Sequence, residues 1–169
     1  VGAFDAQSGR RPVAGGTTQG KAISETLMKL AAEDERIYAI TPAMTTGAHL
    51  TEFAKKYPKR FIDAGIAEEH ALVLANALAL SGMKPYVTIY STFLQRGYDQ
   101  VNHDIARMGG DVVVGIDRCG VIGEDGVSHQ GIFDVSLLLP IPGITLAQGK
   151  DAAESARLLA TGFATEGPY

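Results

Sequence analysis

PYVTIYSTFLQRGYDQVNHDIARM, residues 85–108, decides the fold. Its first seven residues are rich in β-branched and aromatic types, the composition of a strand. From Phe93 the spacing changes to that of a helix, and Thr92 and Gln95 stand at the interval of a capping box that would start it. A strand that passes straight into a helix is the repeating step of an α/β fold. The mouth of this helix carries Tyr90, Phe93 and Arg96, residues that do more than plug a core.

The same alternation extends in both directions. Upstream, KAISETLMKLAAEDE (21–35) has helical spacing and RIYAIT (36–41) is a short strand. HLTEFAKKYP (49–58) is a second helix closed by Pro58, RFIDAG (60–65) a second strand, and AEEHALVLANALALSG (67–82) an apolar helix that stops at Gly82. Downstream, DVVVGID (111–117) reads as a strand buried on both faces. A Gly-rich loop follows (118–131), then a fifth strand, GITLAQ (143–148), and a last helix with Asp151 and Glu154 as its capping box. Residues 1–17 have no period and read as a linker, leaving one domain over 18–169. Five strands alternating with helices imply a doubly wound, mostly parallel sheet with helices on both faces. Ligands of such sheets sit outside the carboxyl ends of the strands. Thr41, Asp63, Tyr90 and Asp117 end the first four strands, which makes that edge the working surface.

Composition narrows the function. A net charge of −4 without a clustered basic stripe argues against a nucleic-acid partner. No apolar stretch is long enough to span a bilayer, and there is no basic-then-apolar leader. The single cysteine, Cys119, excludes an internal disulfide and suits a reducing compartment, so a cytoplasmic location is expected. The start at Val1 and the stop at Tyr169, just after a helical pattern, suggest a piece of a longer chain.

Four motifs carry a resemblance: AITPAM (39–44), DAGIAEEHA (63–71), KPYVTIYSTFLQRGYDQVNHD (84–104) and GIDRCGVIGEDGVSHQGIFD (115–134). In this order they resemble the central, pyrimidine-binding domain of the 1-deoxy-D-xylulose-5-phosphate synthase family, thiamine-diphosphate enzymes of the transketolase superfamily. The resemblance implies condensation of pyruvate with D-glyceraldehyde 3-phosphate and release of CO2, with the product feeding isoprenoid, thiamine and pyridoxal synthesis. It implies that Glu68 meets N1′ of the cofactor pyrimidine, that Phe93 stacks on that ring, and that Ile66 is the apolar wedge that keeps the cofactor bent. A carboxyl at the head of an apolar helix suits the first role, because burial favours the protonated, hydrogen-bonding form of such a group. Tyr90 and Arg96 would meet the pyruvate-derived adduct. Arg118 would grip the acceptor phosphate, with Asp125 and His129 completing the network; a guanidinium fork fits phosphate geometry.

Each of these residues also has a plainer reading. Glu68 alone would be an exposed charge at the positive end of a helix, Phe93 a core aromatic, Asp125-Gly126 a turn and His129 a surface histidine. For His70, Tyr98, Asp99, His103 and Asp104 the plainer readings are preferred: capping, buried hydrogen bonds or a subunit contact. The chain departs from the family at Cys119, usually alanine, at Glu69, usually glutamine, and across LLLPIPG (137–143). It has no metal-binding Gly-Asp-Gly signature, so no metal ligand is assigned here. By resemblance the diphosphate and Mg2+ belong to an N-terminal domain, a C-terminal domain completes the protein, and the assembly is a homodimer. The alternatives are a transketolase or 2-oxoacid dehydrogenase beta-type domain, or a domain that binds without catalysing.

Overall fold

A computed structural model describes residues 7–8 and 17–169. Most of the expected linker, 1–17, therefore lies outside the described residues. Helix α1 (Gln19–Glu33) begins where the Thr18 side chain accepts the Lys21 N–H at 3.2 Å. It is followed by β1 (Ile37–Thr41), α2 (Thr51–Lys56), β2 (Phe61–Asp63), α3 (Glu68–Leu80) and β3 (Lys84–Tyr90). Next come α4 (Ser91–Leu94), a 3-10 turn (Gln95–Gly97), a π-helix (Gln100–Ala106), β4 (Val113–Asp117), α5 (Asp134–Leu138) and α6 (Ala152–Ala164).

The strands form one parallel sheet in the order β2-β1-β3-β4. Alternation along each strand divides the core between its two faces. Ile40, Val87 and Ile89 pack with Ala71, Leu72 and Ala75 of α3 and with Val101 and Ile105 of the π-helix. Ile37, Ala39, Tyr86 and Val113 face the other way, against Leu27 and Ala31 of α1, Phe53 of α2 and Leu159 of α6. Burial on both sides explains why β3 reads as a nearly unbroken β-rich run. The doubly wound class is as expected.

Three expectations need correction. The helix at 93–108 is not one α-helix. It starts at Ser91, one residue after the strand, and the Thr92–Gln95 capping box does not form, since Tyr90 is the cap residue and makes no side-chain cap bond. Packing then reshapes the rest. A Cβ on Gly97 would stand 2.3 Å from Leu72 Cδ1, so the 3-10 turn runs directly against α3. The chain widens afterwards, with Arg107 N–H donating to the Asn102 carbonyl at 3.1 Å, and Val101 and Ile105 both stay in the core.

The second correction is at GITLAQ (143–148), which is not a strand. The lane beside β4 is taken by Tyr169, whose N–H donates to Val112 and whose carbonyl accepts from Val114 N–H (3.0 and 2.8 Å). Thr145 lies one lane further out, with its N–H on the Pro168 carbonyl at 3.0 Å. The third is the second helix, which starts at Thr51 rather than residue 49 because His49 adopts φ 56°. The capping box of α6 does form: Asp151 accepts the Glu154 N–H at 2.8 Å, and Glu154 reaches back to the Lys150 N–H at 2.7 Å.

Candidate active site at the carboxyl edge of the sheet

Parallel register brings the four strand ends together. Thr41 pairs with Asp63 and Tyr90 with Asp117. Asp63 then ties two loops, because its carboxyl accepts from Ala43 N–H (2.9 Å), Gly65 N–H (3.0 Å) and the Thr45 hydroxyl (2.9 Å). Burial pushes this carboxyl up, but the three hydrogen bonds outweigh it and leave it below the usual carboxylate range. Asp117 is the opposite case. Burial raises it, although the Thr88 hydroxyl donates to it at 3.1 Å.

Between the loops lies a cleft of about 340 Å³, lined by Met44, Tyr90, Thr92, Phe93, Arg118, Asp125 and His129. Five of these residues were expected at the site from the sequence: Tyr90, Phe93, Arg118, Asp125 and His129. Tyr90 and Phe93 lie nearly parallel, with centroids 6.1 Å apart at 9°, and His129 meets Phe93 edge-on at 5.6 Å and 76°. Ser128 Oγ shares a 2.7 Å hydrogen bond with His129 Nδ1. The Arg118 guanidinium sits 4.9 Å above the Tyr90 ring and donates to Asp125. Arg118 follows β4 with φ 58°, a left-handed conformation that few non-glycine residues adopt and that clusters at functional loops.

Glu68 is not an exposed helix-start charge. It is 2% exposed; Arg96 Nη2 donates to its Oε1 at 3.1 Å, and Oε2 is buried without a hydrogen-bond partner. Arg96 does not line the cleft. Its guanidinium spans Glu68 and the Phe93 ring, 5.3 Å from the ring centroid. Ile66, 77% exposed, stands two residues before Glu68 as a bare apolar side chain. Of the residues given plainer roles, Tyr98 packs on the core and His103 contacts Arg107 at 3.3 Å.

Sequence reasoning missed four contributors. Met44 and Thr92 form cleft walls. Gln130 braces the Gly-rich loop from inside, its amide donating to the Ile122 carbonyl (2.9 Å) and accepting from the Ile122 N–H (2.7 Å). Asp134, 7% exposed, accepts the Ser91 hydroxyl at 2.7 Å on both oxygens. Gln130 and Asp134 stand inside a motif that singled out only its charged loop residues, and no local signal marks a bond across 43 residues. Cys119 is exposed as a residue, but its thiol turns inward to the Ile116 carbonyl at 3.1 Å. Burial, reinforced by the Asp134 carboxyl, pushes that thiol up to about 12.

Residues 16–169 match the family described as transketolase, pyrimidine binding domain. The 1-deoxy-D-xylulose-5-phosphate synthase of Listeria monocytogenes is 51% identical over 160 residues, which is 94% of this chain and 26% of that protein. The synthase of Desulforudis audaxviator is 48% identical over 168 residues, 99% of this chain and 26% of that protein. The chain thus spans about a quarter of the length of these relatives. Among solved structures, a split-gene transketolase, described as an inactive beta4 tetramer, superposes with a TM-score of 0.81 at 26% identity, covering 91% of this chain and 50% of that one. A Pichia stipitis transketolase, solved with sedoheptulose 7-phosphate, shares the fold at TM-score 0.81 and 19% identity, over 93% of this chain and 25% of its own. With its parallel sheet and its cleft at the strand ends, the chain belongs to the transketolase pyrimidine-binding domain family.

Proposed function

We propose that the chain is the pyrimidine-binding domain of a thiamine-diphosphate-dependent 1-deoxy-D-xylulose-5-phosphate synthase, condensing pyruvate with D-glyceraldehyde 3-phosphate and releasing CO2. The observation that carries the reading is Glu68 Oε2, a buried carboxyl oxygen without a partner at the head of α3. Buried polar atoms are almost always satisfied, so an unpartnered carboxyl oxygen two links from the cleft, through Arg96 and Phe93, supports a place for a bound group. Identity near 50% with synthases, against 26% or less with the transketolase structures, supports the narrower assignment.

The side chains fit an aminopyrimidine. Phe93 offers a ring face, Ile66 an exposed apolar wedge, and Glu68 a carboxyl that can hold a proton at Oε2 toward the pyrimidine N1′. Thiamine diphosphate, when bound, supplies the nucleophilic carbon and the electron sink for decarboxylation. Arg96 holds Glu68 in place through Oε1 and closes over Phe93, which makes it a neighbour of the cofactor side rather than a cleft wall. Arg118, aligned by Asp125, is placed to accept an anionic acceptor group, and Tyr90 and His129 present polar edges on the same cleft.

Diphosphate and Mg2+ are held, on this reading, by another domain of a homodimeric, cytoplasmic enzyme. Among the described residues no group of three or more His, Cys, Asp or Glu could hold a metal. Exposed Ile66, Val121, Val127, Phe133 and Leu139 are suited to contact with further domains. No helix among the described residues is long and apolar enough to cross a membrane.

The deciding assay offers the full-length protein pyruvate plus D-glyceraldehyde 3-phosphate, and separately a ketose-phosphate donor with an aldose acceptor. CO2 release coupled to a five-carbon ketose phosphate supports the synthase. Two-carbon transfer without CO2 assigns it to the transketolases instead.

A further inference from the structure

We propose that Asp134 is a positioning residue that, through Ser91, locks the Gly-rich loop carrying Arg118, Asp125 and His129 to the corner carrying Tyr90 and Phe93. The loop has a narrow neck. Gly120 N–H donates to the Gly131 carbonyl at 2.6 Å and Gly131 N–H to the Gly120 carbonyl at 2.9 Å, a two-bond bridge between its ends. The neck is packed without slack: a Cβ on Gly131 would stand 2.3 Å from the Arg118 carbonyl oxygen, 2.6 Å from Ser91 Oγ and 2.8 Å from Cys119 Cα.

Asp134 lies three residues beyond that neck, and Ser91 directly follows Tyr90. The two side chains, 7% and 2% exposed, meet by hydrogen bonds of 2.7 Å. A buried carboxylate holds such a position only when hydrogen-bonded, so the contact is specific rather than incidental. It joins two segments that are remote in sequence and that each bring rings or charges to one cleft. The Tyr90–Phe93–His129 ring cluster and the Arg118–Tyr90 stack span this joint, so their geometry depends on it. The role assigned to the loop rests on the proposed function; the joint itself does not.

The test uses Asp134→Ala, Asp134→Asn and Ser91→Ala in the full-length protein, with amide hydrogen exchange and steady-state kinetics. Loss of the joint should speed exchange across residues 119–131 by about tenfold or more in Asp134→Ala and Ser91→Ala, with α3 and β3 unchanged. Asp134→Asn keeps an acceptor for Ser91 and should restore most of the protection. The acceptor KM should rise at least severalfold in the two alanine variants and fall back in the asparagine variant. Unchanged loop exchange in Ser91→Ala, the smaller change and the one that decides if Asp134→Ala fails to fold, overturns the proposal. So does an Asp134→Asn variant as loose as alanine. Faster loop exchange with unaltered kinetics keeps the joint and rejects the functional role assigned to the loop.

Discussion

Replacing Glu68 by glutamine separates chemistry from folding. Glu68 is 2% exposed, and glutamine fills the same volume, so no cavity is created. Its amide oxygen can still accept from Arg96 where Oε1 does now. The ion pair that is weakened has one partner half exposed, Arg96 with 49% of its side chain accessible, so its loss should cost no more than about 1 kcal/mol. What glutamine cannot do is hold and return a proton at the position of Oε2. Loss of such acid–base assistance lowers a rate by roughly 10²–10⁴, equivalent to about 3–5 kcal/mol in the barrier. Exchange of the C2 proton of thiamine diphosphate for deuterium, followed by quenched-flow NMR on the full-length variant, reads this step directly, and a denaturant titration reads stability. The expected pair of results is exchange slowed by about a hundredfold or more with the unfolding midpoint almost unmoved. Exchange at the parental rate with cofactor bound would refute the assignment of Glu68. Slowed exchange accompanied by a large loss of stability would refute the claim that the carboxyl is placed for chemistry rather than for the fold.

Arg96→Ala should destabilise more than Glu68→Gln, by about 1–3 kcal/mol in urea titration, because it removes the donor that Oε1 of a buried carboxyl accepts from. Arg118→Ala should raise the KM for glyceraldehyde 3-phosphate by about ten- to a hundredfold, while unphosphorylated glyceraldehyde is used as well as by the parent. Equal losses with both aldehydes would show that Arg118 does not read phosphate. Asp63 has a depressed folded value, so it contributes stability above its unfolded pKa, near 3.9, and loses it as pH falls through the folded one. The stability advantage of the parent over Asp63→Asn should therefore be present at neutral pH and shrink below about pH 4, as thermal unfolding across that range will show. With its thiol pushed up to about 12, Cys119 should be alkylated by iodoacetamide at pH 7 roughly a thousandfold more slowly than a free thiol, and rapidly once unfolded.

Periodicity and turn chemistry reveal what is local, and the strand ends are local. Thr41, Asp63, Tyr90 and Asp117 could be placed at one edge because a parallel sheet aligns carboxyl ends whatever its strand order. Contacts that depend on strand order or on helix register were not legible. GITLAQ has strand composition, but composition does not say that Tyr169 already occupies the lane beside β4. Thr92 and Gln95 have capping-box spacing, yet the strand delivers the chain into a helix two residues earlier, and the turn tightens to 3-10 geometry over Gln95–Gly97. The resemblance suggested that Arg96 meets the adduct with Tyr90; in the observed turn, packed against Leu72, its guanidinium reaches Glu68. The close approach allowed by Gly97 lies beside the hydrogen bond that holds the Glu68 carboxyl, with Oε1 fixed by Arg96 and Oε2 buried without a partner.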